Sequence, residues 1–317
     1  MTDPVHFVRE DVRGFLAMLE AMARPHMDEM PVEEARAAYV MMAQVAELDP
    51  HPLPVVRDFV CPGPDGEIPL RLYDARESRE PGPAVMFFHG GGFVIGDLET
   101  HNAFCTELAR GLDLPVIAVH YRLAPEAPFP AAPDDCEAAS RWVAGSPAEL
   151  GFQVTGLVTT GDSAGGNLAI VVTQALMDGP AAVPVLVQAP IYPIASPVGE
   201  TGSYKSFGEG YFLTARSMEF FDASYRADEG HKRRYPILHD DHAATPPTVL
   251  ITASLDPLRD SGREYAAHLI GSGVDVVYLE ARGSIHGFIN MRKALPSAQE
   301  DVTALIGAIR LMLERHS

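Results

Sequence analysis

The sequence predicts an α/β fold built around a largely parallel sheet. Three observations carry that prediction: short β-rich runs alternate with helix-sized segments from residue 55 onward, the later runs are nearly continuous in apolar residues, and the chain closes on an amphipathic helix. Strands that are apolar throughout belong in a sheet covered on both faces, the arrangement that parallel strands joined by helices provide.

Taken in order, Val5, Val8, Val12, Phe15, Leu16, Leu19 and Met22 recur at helical spacing with charges between them, so the chain opens on an amphipathic helix. A second helix starts at Pro31, with Glu33 and Glu34 in its first turn where the helix dipole favours acids, and stops before Asp49-Pro50. Eight strands follow at Val55–Cys61, Ile68–Tyr73, Ala84–His89, Val116–His120, Leu157–Gly161, Val185–Ala189, Val249–Ala253 and Val274–Leu279. The first two are close enough to pair as an antiparallel hairpin. About sixty residues separate the sixth run from the seventh, too many for a plain crossover. They hold a Gly/Ser-rich stretch at 199–210 and a helix-like stretch from Thr214 to Arg226, and read as an insertion. Ser297 and Glu300 are spaced as a capping box ahead of the stripe Val302, Leu305, Ile306, Ile309 and Leu313. The chain therefore divides into 1–50, 51–194, 195–230 and 231–317, the first and third segments being expected over the carboxyl ends of the strands, where open α/β sheets place their ligands.

Of the 317 residues, 47% are hydrophobic and 21% charged, ample for a folded core and unlike a disordered chain. With 43 acidic residues against 24 basic, the net charge of −19 repels phosphate backbones and anionic lipid surfaces, which argues against nucleic-acid and stable membrane partners. The opening Met1-Thr2-Asp3-Pro4, followed by Glu10 and Asp11, carries no basic and apolar leader pattern, so a cytoplasmic location is expected. Cys61, Cys105 and Cys136 are too few and too scattered for a disulfide framework or a zinc site, and none sits in a glycine-flanked turn.

The most informative stretch is Gly161-Asp162-Ser163-Ala164-Gly165-Gly166, where the strand Leu157–Gly161 gives way to the helix-like Asn167-Leu168-Ala169-Ile170. A serine held at a sharp strand-to-helix turn has its hydroxyl exposed on a strained backbone, and glycines two residues either side remove side chains that would collide. Ser163 is a nucleophile candidate on this ground, although a packing turn or a phosphate cradle at the helix N-terminus fits the hexapeptide equally. Far upstream, His89-Gly90-Gly91-Gly92 directly follows the strand Ala84–Phe88; three glycines there let backbone N–H groups turn towards a ligand, as an oxyanion hole requires, whereas the bland reading is a flexible loop.

A serine nucleophile needs a base within reach and a carboxylate to orient it. Asp256 lies in the turn after the strand 248–253, and His286 in the loop after the strand 274–279, both beyond carboxyl strand ends on the edge that carries the serine turn. Among rival acids, Asp260 and Glu264 fall in the following helix, Glu280 ends its own strand, and Asp162 points the other way at the turn. His239-Asp240-Asp241-His242 resembles a metal set only superficially, since contiguous loop residues seldom converge on one ion. No stretch has a nucleotide-binding ending or spacing, so no cofactor is expected.

Together, His89-Gly90-Gly91-Gly92-Phe93, Tyr121-Arg122-Leu123-Ala124-Pro125-Glu126, Gly161-Asp162-Ser163-Ala164-Gly165-Gly166, Asp256-Pro257-Leu258-Arg259-Asp260 and His286-Gly287-Phe288 resemble the ordered signature blocks of the hormone-sensitive-lipase-like family of bacterial carboxylesterases. The resemblance spans roughly residues 55 to 315, with Ser261 where relatives often carry an acid. It implies an α/β-hydrolase core, an eight-stranded, mostly parallel sheet flanked by helices, under a helical cap formed by 1–50 and 195–230. It further implies Ser163 as nucleophile, His286 as base, Asp256 as orienting acid and the N–H groups of Gly91, Gly92 and Ala164 as oxyanion hole. The activity implied is hydrolysis of short- to medium-chain carboxylic esters. Lactone or amide hydrolysis, deacetylation and non-catalytic small-molecule binding remain open alternatives on the same fold. Phe15, Met18, Leu19, Met22, Tyr211 and Phe212, with Tyr204 and Phe207, are candidate substrate walls, and ordinary packing between helices explains each as well. The edge strand near 274–279 offers a surface for a homodimer.

Overall fold

The computed structural model describes residues 6–22, 25–199 and 202–316; Met1-Thr2-Asp3-Pro4, Val5 and two residues of the stretch 199–210 lie outside the described residues. The sheet contains eight strands among these, β1 (Val55–Gly63), β2 (Gly66–Asp74), β3 (Gly82–Phe88), β4 (Val116–Val119), β5 (Val154–Asp162), β6 (Val185–Ile191), β7 (Thr248–Leu255) and β8 (Val276–Ile285). Their spatial order is β1-β2-β4-β3-β5-β6-β7-β8. The pair β1–β2 is antiparallel, as the short link between the first two runs predicts; β2–β4 is antiparallel too, and the remaining pairs are parallel.

Alternation along the central strands sends side chains to two buried faces. Val85, Phe87, Val158 and Val187 face α3 (Asn102–Leu112) and α9 (Ala298–His316). Met86, Phe88 and Leu157 face α4 (Ala131–Ala144) and α5 (Ala164–Asp178). A smaller cluster of Leu250, Tyr265 and Leu269 seats α8 (Arg259–Gly271) on β7. Being covered on both faces is what demands the continuous apolar runs.

Helices α1 (Glu10–Ala21) and α2 (Val32–Ala46) precede the sheet, while α6 (Gly202–Phe207) and α7 (Ala215–Tyr225) lie between β6 and β7. The α1 stripe is narrower than the spacing predicts: Val12 and Phe15 are buried and Leu16 and Leu19 pack beside them, but Met18 and Met22 are 48% and 52% exposed. At 100° per residue these two methionines fall on the margin of the stripe, and the sheet reaches only its centre. No helix among the described residues is long and apolar enough to cross a membrane.

Most strand ends shift by one to three residues from the expected positions, and differences at β4, β8 and the start of α9 have a clear physical reason. Strand β4 ends at Val119, one residue before His120, whose N–H donates to Pro69 O. Strand β8 begins two residues later than predicted and runs on to Ile285, so Glu280 sits mid-strand; its polar alternation hid a segment that β7 pairs in one register from Thr248↔Val276 to Ala253↔Ala281 and, after a bulge, at Leu255↔Ile285. Ser297 precedes α9, yet its hydroxyl donates to Asp11 and its N–H to the same carboxylate, which ties α1 to α9 in place of a capping box with Glu300.

Candidate active site

Parallel strands end on one edge, so whatever follows β3, β5, β7 and β8 is gathered there. Ser163 lies between β5 and α5 with φ 57° and ψ −116°, a conformation few L-residues adopt. Its N–H donates to Ile191 O of β6, 2.9 Å away, and its carbonyl accepts from Asn167 of α5. The flanking glycines are a steric necessity: a Cβ at Gly165 would fall 1.9 Å from Phe88 O and one at Gly161 2.3 Å from the same atom. The turn can be sharp only because β3 passes this closely.

His286 follows β8 and brings Nε2 to 2.8 Å from Ser163 Oγ. Its Nδ1 is 2.7 Å from Oδ2 of Asp256, which follows β7. A carboxylate only accepts, so the shared proton sits on Nδ1 and leaves Nε2 to accept from the serine hydroxyl. The other Asp256 oxygen accepts the Leu258 N–H at 2.8 Å. Asp256 has no exposed surface, His286 is 6% exposed and Ser163 8%, so the chain of contacts is closed at its acid end and reaches solvent through the imidazole and the serine. The Tyr192 ring packs on the imidazole with centroids 4.5 Å apart.

After β3, Gly91 and Gly92 adopt φ of 118° and 61°. A Cβ at Gly91 would fall 2.2 Å from Ile95 O. Among the described residues the N–H groups of Gly91, Gly92 and Ala164 have no protein acceptor. His89 turns away beneath this loop: it stacks on Tyr121 at 4.3 Å, and Tyr121 donates its hydroxyl to His89 O at 2.7 Å. Burial, with His101 nearby, pushes the His89 imidazole down to about 3, so it stays neutral.

Asp162 does face away from the serine hydroxyl, and it has a structural task there. Its carboxylate accepts the Gly90 N–H at 2.7 Å, approaches His101 Nε2 at 2.9 Å and meets the Tyr192 hydroxyl at 3.4 Å. Burial alone would raise its pKa, but His101, His286 and the Gly90 N–H outweigh burial and hold the carboxyl below its usual range. Asp162 thus fastens the oxyanion-loop candidate to the serine turn. His101, at the start of α3, carried no sequence signal, since its role depends on a partner distant in the chain.

Asp260, Glu280, His239 and His242 are engaged elsewhere. Asp260 accepts from the Ser203 N–H, and Glu280 pairs with Arg263. His239 meets Asp178 and His242 meets Ile237 O. Ser261 accepts the N–H groups of Ala195 and Ser196 at 2.9 Å each, anchoring the chain where it leaves β6 for α6. All three cysteines are buried, and burial pushes the Cys61 thiol up to about 11, the wrong direction for a nucleophile.

Above the edge, the structure brings some of the candidate wall residues together and leaves others out. Phe15 and Phe212 approach with ring centroids 6.1 Å apart, and Leu19 packs beside them. Phe207 is fully buried beneath the Arg259 guanidinium, with Tyr211 edge-on at 5.1 Å. Met18 and Met22, at 48% and 52% exposed, face outward for the reason given above. The spacing missed Phe221 of α7, whose ring covers Gly92, and Arg36 of α2, which donates to Val94 O and Ala124 O while pairing with Glu126.

Residues 85–290 match the family model described as alpha/beta hydrolase fold. The chain is similar to carboxylic ester hydrolase LipN of Mycobacterium tuberculosis, 38% identical over 274 residues that cover 82% of this chain and 71% of that protein. It is 34% identical to ethyl acetate hydrolase of Pseudomonas putida over 77% of this chain and 78% of that one. Among solved structures, a serine-to-alanine variant of LAE6, an alpha/beta hydrolase enzyme from the metagenome of Lake Arreo, superposes with a TM-score of 0.91 at 35% identity, covering 98% of both chains.

Proposed function

Because the chain belongs to the alpha/beta-hydrolase family and is a carboxylic ester hydrolase, we propose that it is a serine esterase whose nucleophile is Ser163, with His286 as base and Asp256 as orienting acid. His286 Nε2 takes the hydroxyl proton as Ser163 Oγ bonds to the ester carbonyl carbon. The negative oxygen that forms is stabilised by the N–H groups of Gly91, Gly92 and Ala164. His286 then gives its proton to the leaving alcohol oxygen, the carbon–oxygen bond breaks, and an acyl-serine remains. Water, deprotonated by His286, attacks that ester and releases the acid while Ser163 regains its proton. Asp256 holds Nδ1–H and offsets the imidazolium charge without itself taking the proton.

The observation that carries this reading is the unbroken contact from Asp256 through His286 to Ser163, 2.7 and 2.8 Å, together with the Gly91, Gly92 and Ala164 N–H groups that have no acceptor among the described residues. The ethyl acetate hydrolase relative supports small ester substrates. The test is turnover of nitrophenyl esters of graded acyl length by the wild type and by Ser163→Ala. The variant is expected to melt like the wild type and to lose about a million-fold in kcat. Near wild-type turnover by a folded Ser163→Ala protein would refute the assignment.

A further inference from the structure

Two aromatic rings from the segment between β6 and β7 lie against different loops of the candidate site, the one after β3 and the one that carries His286. Phe221 lies against Gly92 so closely that a Cβ there would fall 2.2 Å from its Cγ. Phe212 lies against Gly287, where a Cβ would fall 3.2 Å from its Cε1. Their supports are separate as well. Phe221 packs with the cluster that includes Phe93 and Tyr225, whose rings stack at 3.9 Å, whereas Phe212 packs with the opposite cluster, which includes Phe288 and Phe15. Phe212 also sits at φ 76°, a left-handed backbone that a bulky residue adopts only when its surroundings hold it there; such strain concentrates at ligand sites.

We propose that these two rings divide substrate selection, Phe212 limiting the alcohol portion of the ester and Phe221 the acyl portion. The inference rests on the serine-esterase reading and on the shape of its tetrahedral intermediate. Four groups surround the reacting carbon: Ser163 Oγ, the negative oxygen, the leaving alcohol oxygen and the acyl chain. The negative oxygen points to the Gly91 and Gly92 N–H groups. The leaving oxygen must come within a hydrogen bond of His286 Nε2 to receive its proton, which directs the alcohol past His286 and hence past Gly287 and the ring of Phe212. The acyl chain takes the remaining direction, away from the imidazole and along the oxyanion loop, where Phe221 closes over Gly92. Both rings are hydrocarbon and partly buried, so each wall accepts apolar groups and limits them by size.

The test is a double dissociation read as kcat/KM. One series holds the nitrophenyl leaving group and lengthens the acyl chain from acetyl to decanoyl; the other holds acetyl and lengthens a straight-chain alcohol from ethyl to octyl. Phe221→Ala is expected to raise long-acyl activity relative to acetyl by about tenfold or more and to leave the alcohol series within about twofold. Phe212→Ala is expected to do the reverse. Leucine at either position should give the same pattern in smaller measure, and serves where the alanine variant does not fold. Variants that both act on one series, or that leave both series unchanged, overturn the proposal. A wild type inactive on both series, or a Ser163→Ala protein as active as the wild type, would instead remove the serine-esterase reading beneath it.

Discussion

The carboxyl edge of the sheet and the helices above it obey different constraints. At the edge, Asp256 has no exposed surface, His286 has 6%, and a single methyl group at Gly165 would sit 1.9 Å from a carbonyl oxygen. In the covering helices, Met18, Met41 and Val45 are 48%, 65% and 68% exposed, and a methyl at Gly14 of α1 would meet nothing within 4 Å. The edge is fixed by backbone running against backbone, which tolerates no change in volume. The cover is attached by a few side chains: Arg36 to Val94 O, Glu47 to the buried Arg292, and Arg9 to Asp301. On the reading proposed above, chemistry belongs to the part that cannot vary and selection among substrates to the part that can.

The largest expected effect separates the two by the same substitution. Gly165→Ala should cost about 3 kcal/mol or more of stability, because neither β3 nor α5 can move aside, and should take activity with it. Gly14→Ala should be neutral or stabilise by about 0.5–1 kcal/mol, since alanine suits a helix interior and the space is open. Denaturant midpoints of the two proteins check this; equal losses would erase the distinction.

A second effect is pH-dependent and sharpens the contrast. His89 lies at the start of the candidate oxyanion loop with its pKa pushed from 6.5 down to about 3 by burial and His101. A group held neutral in the folded chain stabilises it fully above the unfolded value, and that contribution is lost as pH falls from 6.5 towards 3, with a slope of up to about 1.4 kcal/mol per pH unit. His89→Phe keeps a ring beside Tyr121 and removes the titration, so its melting temperature should fall less steeply over that range. A slope identical to that of the wild type would show that His89 is not the group responsible.

The smallest effect is expected in the cover. Met18→Ser and Met22→Ser should change stability by less than about 0.5 kcal/mol and leave kcat/KM for short esters within about twofold, as solvent-facing positions do. A larger loss in turnover would mean that α1 swings these side chains over the site when substrate binds.

This division also explains what could be read from the sequence. The serine turn was legible because local rules coincide there: an apolar strand, glycines at fixed offsets and a helix start. Asp256 and His286 were legible from their positions after strands, which parallel topology sends to one edge. Phe221, His101 and Arg36 were not, because each acts through a contact with a distant segment, Gly92, Asp162 and Val94 respectively, that no spacing encodes. Met18 and Met22 matched the helical period and still face outward, since periodicity gives a stripe but not how far the sheet reaches across it. The end of β8 was hidden by polar residues that the ladder with β7 nevertheless holds as strand.

The claim on which the rest depends is that one hydroxyl, Ser163, carries the acyl group, and covalent titration addresses it directly. A nitrophenyl alkylphosphonate should release one equivalent of nitrophenol per chain, abolish ester hydrolysis in the same proportion, and leave its phosphorus on the peptide containing Ser163 by mass spectrometry. Labelling at a different residue, or full hydrolytic activity in a chain already labelled at Ser163, would contradict the account.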